Sequence, residues 1–264
     1  MTQNRKTATK LLLIQWSRFQ NVCIRLEGST LFTGVNGSGK STILDAMTYV
    51  LTGNVQFNKA AKDRDRTVKG YVRGDTKSNG AKRYLRQGQV ISYIAMEFWS
   101  PSEQENMVIG VCIESQDDAS APTSSWFVCK NSKIEDINFA NVDGKNLYVT
   151  PKSLLQIKGV RMKSAEFMGR ERGTEQILRA LGLRCEVGKY RSKLVKMMAF
   201  NPENNIDQFI AECVLEPGSV NSLKELRQQR EQFEHIKRLY EDLRDGKKKL
   251  EEVEKKIQEY QQDF

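Results

Sequence analysis

Residues 34–42 read Gly-Val-Asn-Gly-Ser-Gly-Lys-Ser-Thr, and this run constrains the fold more than any other part of the chain. Gly34, Gly37 and Gly39 lack side chains, so the backbone there can close into a concave turn whose N–H groups point inward. Gly34, four intervening residues and then Gly39-Lys40-Ser41 satisfy the phosphate-loop pattern. In such a loop the backbone from Gly34 through Val35, Asn36, Gly37, Ser38, Gly39, Lys40, Ser41 and Thr42 wraps a polyphosphate. Lys40 is placed to bridge the β- and γ-phosphates, and the Ser41 hydroxyl to meet Mg2+. A helix opening at Ser41 turns its positive end toward the same anion. No Asn-Lys-x-Asp guanine motif occurs, so ATP with Mg2+ is the expected ligand pair.

The pattern carries weight only between a strand and a helix. Ser29–Thr33 is a short β-prone run and is expected to be the strand that feeds the loop. Ser41–Thr52 spaces Ile43, Leu44, Met47, Val50 and Leu51 as a helix does, with Gly53 as its stop. Upstream, Leu11–Trp16 and Val22–Leu26 predict two strands joined by a tight turn over residues 17–21. Downstream, residues 89–100, 106–114 and 124–130 cluster β-branched and aromatic side chains between polar turns, which predicts an antiparallel meander. Helical spacing returns at about 164–183, 190–200 and 206–215.

Between these lies a stretch of opposite character. Residues 54–86 carry ten Lys or Arg against three Asp, and the expectation there is a loop-rich, solvent-facing segment. The whole chain is basic, with a net charge of +9, which favours an anionic partner such as nucleic acid. Five cysteines without C-x-x-C spacing argue for reduced thiols rather than a zinc site. The single histidine, His235, lies among charged residues, which leaves no histidine-based catalysis. The polar opening and the lack of a long apolar run point to a cytoplasmic chain with no membrane partner.

After Pro217-Gly218 the composition changes again. Residues 222–264 contain no proline and one glycine, and Leu226, Phe233, Ile236, Tyr240, Leu243, Leu250, Val253, Ile257, Tyr260 and Phe264 recur at helical steps. That is the narrow seam of a coiled-coil helix. Lys and Arg number eleven from Val220 on, as do Asp and Glu, so the excess positive charge resides upstream. The division expected is residues 1–218 as one domain and 219–264 as the start of a coiled-coil arm. No run of four apolar residues ends in Asp-Glu, and no Ser-Gly-Gly signature occurs, so the second half of an ATP-hydrolysing site is expected outside this stretch.

These features together resemble the N-terminal lobe of SMC-like ATPase heads. The matching residues are Leu13–Phe19, Thr33–Ala46 and the seam after Leu215. Tyr190–Leu194 and Leu215-Glu216-Pro217 are similar to the MukB-like branch. Phe57–Ala61 with Gly70–Gly74 is similar to JetC, the motor of the Wadjet anti-plasmid systems. An SbcC-type repair ATPase is the second resemblance, and a nucleotide-binding scaffold the alternative from another class. The resemblance implies an α/β fold: an ABC-type P-loop ATPase lobe with a mixed sheet, an antiparallel meander, a helical subdomain and an antiparallel coiled-coil stalk. It implies ATP hydrolysis once a C-terminal lobe is present, and dimerisation with a second head on ATP. It further implies kleisin and winged-helix type subunits and action on double-stranded DNA. Glu203 and Gln208 are the alternatives for a second Mg2+ contact. Arg170, Arg172, Lys189, Arg191 and Lys193 are the residues it suggests for DNA.

Overall fold

The computed structural model describes residues 5–55, 57, 66–76, 83–143, 146–198, 238, 241 and 243–247. The chain divides into two units, Met1–Ala199 and Phe200–Phe264. In the second, the described residues are helical. The rest of the expected coiled-coil seam, the 206–215 helix, Glu203 and Gln208 lie outside the described residues.

Long runs of apolar and β-branched residues build the first unit around one sheet. Its strands are β1 (Thr7–Trp16), β2 (Phe19–Arg25), β3 (Val90–Ser100), β4 (Glu105–Ser115) and β5 (Thr123–Lys130). Their order is β2-β1-β3-β4-β5, and every pair is antiparallel. The expected meander is therefore present, extended by the first two strands into a single sheet. The mixed sheet implied by the resemblance is not what these residues form: among the described residues the ladder is antiparallel throughout. Trp16 pairs with Phe19, so the hairpin turn is Ser17-Arg18, shorter than the turn over residues 17–21 that the sequence suggested.

Both faces of the sheet are buried, which explains why β3 and β4 read as nearly unbroken hydrophobic runs. Leu11, Leu13, Ile94, Met96, Ile109, Val111 and Trp126 point to one face. There they meet helices α1 (Lys40–Thr52), α2 (Val68–Arg73) and α3 (Arg170–Leu181). Leu12, Ile14, Tyr93, Val108, Cys112 and Phe127 point to the other face. That side is covered by a lobule holding β6 (Ala140–Asp143), β7 (Asn146–Val149), β8 (Gln156–Ile157) and β9 (Val160–Arg161), through Ile134, Ile137, Phe139, Leu155 and Met162. Helix α4 (Val187–Met198) follows α3. Burying large aliphatic and aromatic side chains on two faces stabilises such a unit by roughly 1.5–3 kcal/mol for each one fully removed from water.

Two expectations are corrected here. Ser29–Thr33 is not a strand: residues 27–33 join no ladder among the described residues. Both edges of β1 are taken by β2 and β3, and the segment adds to the outer edge of neither β2 nor β5. The described residues of the basic stretch after α1 are also less open than their composition implies. Thr67 caps α2 by accepting from the Gly70 amide at 2.9 Å, and Tyr71, Val72 and Arg73 are buried. The Arg73 guanidinium, fully buried, donates to Ser115 Oγ (3.0 Å), Arg86 O (3.2 Å) and Gly88 O (2.8 Å). Arg86 in turn donates to Val72 O (3.0 Å) and Ser17 O (2.9 Å). A planar guanidinium satisfies several loop carbonyls at once, and these two arginines act as struts.

Candidate functional site

Gly34 sits at φ 151° and Gly39 at φ 102°, conformations that side chains resist. Neighbouring side chains crowd both positions as well. A Cβ on Gly34 would lie 2.8 Å from Ser38 Oγ, and one on Gly39 would lie 3.0 Å from Phe19 Cζ. The loop between them makes one internal turn, with the Ser38 amide donating to Val35 O at 3.2 Å. Ile43 then donates to Gly39 O at 3.0 Å as α1 begins. The amides of Gly37, Gly39, Lys40, Ser41 and Thr42 find no acceptor among the described residues.

Gly39 offers no side-chain cap, and the first turn of α1 holds no acidic residue, so the positive end of the helix is left uncompensated. The Lys40 ammonium folds back across this mouth, donating to Gly34 O at 2.6 Å and Val35 O at 3.0 Å. A cation over a row of unpaired amides fits a polyphosphate. For a divalent ion the first turn supplies the Ser41 hydroxyl, and no cluster of three or more His, Cys, Asp or Glu that could hold a metal occurs among the described residues. Phosphate oxygens and water would complete the shell of Mg2+.

Beneath the loop, an aromatic group fixes the first turns of α1. Trp16, at the end of β1 and fully buried, donates its indole N–H to Thr42 O at 3.1 Å. Its ring stacks on Tyr71 at 4.5 Å and on Tyr49 at 6.1 Å, with Phe57 edge-on at 6.2 Å. Asp45, one turn beyond Ser41, is buried beside them and accepts from Tyr71 Oη and from Arg66 Nη1 at 3.1 Å. Burial pushes the Asp45 carboxyl up, and the two donors hold it back. Burial and the Asp45 charge push the Tyr71 phenol upward too. In the sequence Trp16, Asp45 and Tyr71 fall in three separate motifs, and their meeting here is visible only in the fold. The tryptophan at a strand end, next to a hairpin turn, was the available signal.

At the opposite end, α1 stops at Gly53, whose amide donates to Tyr49 O at 2.7 Å. Trp126 on β5 donates its indole N–H to Val50 O at 3.1 Å. Arg191 on α4 donates from Nε to Thr52 O at 2.6 Å, from Nη2 to Thr174 Oγ1 at 3.1 Å and from Nη1 to Glu171 Oε1 at 2.7 Å. The Arg191 cation holds the Glu171 carboxyl below the usual range. Of the other basic residues singled out with it, Arg170, Arg172 and Lys189 are exposed and Lys193 is half-buried.

A glycine-lined loop of free amides, a lysine across its mouth and a rigidly seated helix behind it define a nucleotide-binding phosphate-loop domain. A family model described as an AAA domain matches residues 10–264, and the chain belongs to that family, one found in SMC-like P-loop ATPases. Its activity class is accordingly that of a nucleotide-binding ATPase domain. No curated protein matches the chain. No helix among the described residues is long and apolar enough to cross a membrane.

Proposed function

We propose that the chain is the ATP-binding part of an SMC-like head whose nucleotide site is finished by another stretch of polypeptide, a C-terminal lobe. The observation that carries this reading is the unpaired segment entering the loop. Residues 29–33 have strand-like sequence and no ladder partner among the described residues, while Leu31 is 84% and Val35 80% exposed. Backbone N–H and C=O groups are strong hydrogen-bonding groups, and a β-prone segment left unpaired beside a sheet is a template for a further strand. A strand docked there would cover Leu31 and bring its own side chains to the phosphate mouth.

In this reading Lys40 and the amides of Gly37, Gly39, Lys40, Ser41 and Thr42 would hold the triphosphate, and the Ser41 hydroxyl would hold a Mg2+ ion that offsets the charge on the phosphate oxygens. Two heads then close over the bound nucleotide, and hydrolysis releases them, since a ligand that binds only the closed form stabilises it by mass action. Arg170, Arg172 and Lys189, exposed on α3 and α4, are suited to sequence-independent, salt-sensitive contacts with duplex DNA. Tyr190–Leu194, just ahead of the second unit, supports placing the head in the MukB-like branch, with kleisin and winged-helix subunits as partners.

The test is sedimentation of the complete head, both lobes joined, with Mg-ATP and a hydrolysis-blocking change. A dimer that forms only with ATP is expected, and a head that stays monomeric under all nucleotide conditions sinks the proposal. A second arm measures turnover by the 264-residue chain alone. Almost none is expected, and appreciable turnover would mark a self-sufficient enzyme instead.

A further inference from the structure

The far end of α1 is held by a side chain that phosphate binding by itself does not require. Thr52 is fully buried at the last turn, and its carbonyl has no helical partner ahead of it because Gly53 turns the chain away. Arg191 Nε reaches that carbonyl at 2.6 Å, and Thr174 Oγ1 lies 3.5 Å from it. The Arg191 side chain is 17% exposed, and its remaining nitrogens grip Thr174 and Glu171 on α3. One guanidinium from α4 therefore ties α1 to α3, and places a positive charge where the helix dipole is negative. The same 13-residue helix presents the phosphate-binding amides at its other end.

We infer that Arg191 is a positioning residue for the nucleotide site: it seats α1 against α3 and α4, and so sets how well the loop amides are aimed before ligand arrives. Arg191 touches no phosphate. Its effect reaches the loop through the rigid helix, as preorganisation does. The inference rests on the phosphate-loop reading. Reciprocity follows from linkage, so occupancy of the loop tightens the Arg191 cap by the same factor that the cap strengthens binding.

The experiment measures Mg-ATP affinity by calorimetry on the full chain for wild type, Arg191→Ala, Arg191→Lys, Arg179→Ala and Lys40→Ala, at a temperature where circular dichroism shows each fully folded. Arg191→Ala is expected to weaken binding roughly three- to thirtyfold. Arg191→Lys is expected to recover part of the loss, because an ammonium still reaches one acceptor but cannot span three. Arg179→Ala removes an exposed ion pair on α3 and leaves affinity as in wild type. A folded Arg191→Ala with wild-type affinity overturns the inference. Should that variant not fold, hydrogen exchange on wild type decides: the Gly53 amide exchanges more slowly with Mg-ATP present, and an unchanged rate overturns the inference. Wild-type protein that binds no better than Lys40→Ala overturns the phosphate-loop reading itself, an outcome distinct from normal binding that ignores Arg191.

Discussion

The two ends of α1 follow opposite rules. At the loop end, donors outnumber acceptors: the amides of Gly37, Gly39, Lys40, Ser41 and Thr42 lack partners among the described residues, and Gly39 contributes no cap. At the far end the carbonyls of Tyr49, Val50 and Thr52 accept from Gly53, Trp126 and Arg191. Unpaired backbone groups are costly when buried and tolerable when they face water. The loop end is exposed, so it can leave its amides free for an anion. The far end is packed against α3 and β5 and must be satisfied from within. A binding terminus is thus recognised by what it leaves undone.

The sharpest way to break this contrast is Lys40→Ala. The ammonium bonds only loop carbonyls, so its removal is expected to change thermal stability by no more than about 0.5 kcal/mol. Affinity for Mg-ATP, read by calorimetry, is expected to fall on the order of a hundredfold or more, because Lys40 is the loop's charged side chain. Unchanged affinity would mean that the open amides serve something other than a polyphosphate.

Trp126→Phe probes the far end in the reverse sense. It strands Val50 O in the core, which costs about 1–3 kcal/mol in a urea titration, and leaves the loop amides untouched. Gly39→Ala returns to the near end with a smaller expected cost of about 1–2 kcal/mol. It forces a side chain to φ 102° and toward Phe19. If Trp126→Phe weakened binding more than stability, or Gly39→Ala the reverse, the division of labour between the ends would be wrong.

Much of the near end was legible in the sequence, because glycine spacing and a lysine encode loop geometry directly. The meander was legible too, since nearly unbroken apolar runs such as Val90–Met96, interrupted by Ser92, signal strands buried on both faces. What could not be read was anything held by long-range contact. Residues 29–33 have strand composition, but pairing is decided by distant partners: β1 had no edge left, and the segment joins neither outer edge of the sheet. Arg73, Arg86 and Arg191 read as solvent-facing charge because composition does not say which carbonyls lie nearby. Each is instead a strut or cap whose partners stand 13 or more residues away in the chain. Trp16 and Trp126, the two indoles that pin α1, sit on different strands and meet the helix only in three dimensions.

The smallest effect distinguishes the ends by the sign of their pH dependence. Glu171 is exposed and paired with Arg191, which holds its carboxyl below the ordinary value of 4.5. Its contribution to stability is present above that value and is lost as pH falls through the folded-state pKa. Solvent screening keeps the contribution within about 0.5 kcal/mol. Asp45 runs the other way: burial raises it above 3.8, so its contribution is present in acid and is lost as pH rises through its folded-state pKa. Urea midpoints measured near pH 6 and near pH 3.5 are therefore expected to diverge. Glu171→Gln should be slightly less stable than wild type near neutrality, with the gap closing in acid. Asp45→Asn should stand best relative to wild type near neutrality and lose ground in acid, as wild-type Asp45 becomes protonated. If both substitutions moved with the same sign, the far-end ion pair would be no more than a surface contact and the two ends would differ less than their hydrogen bonds imply.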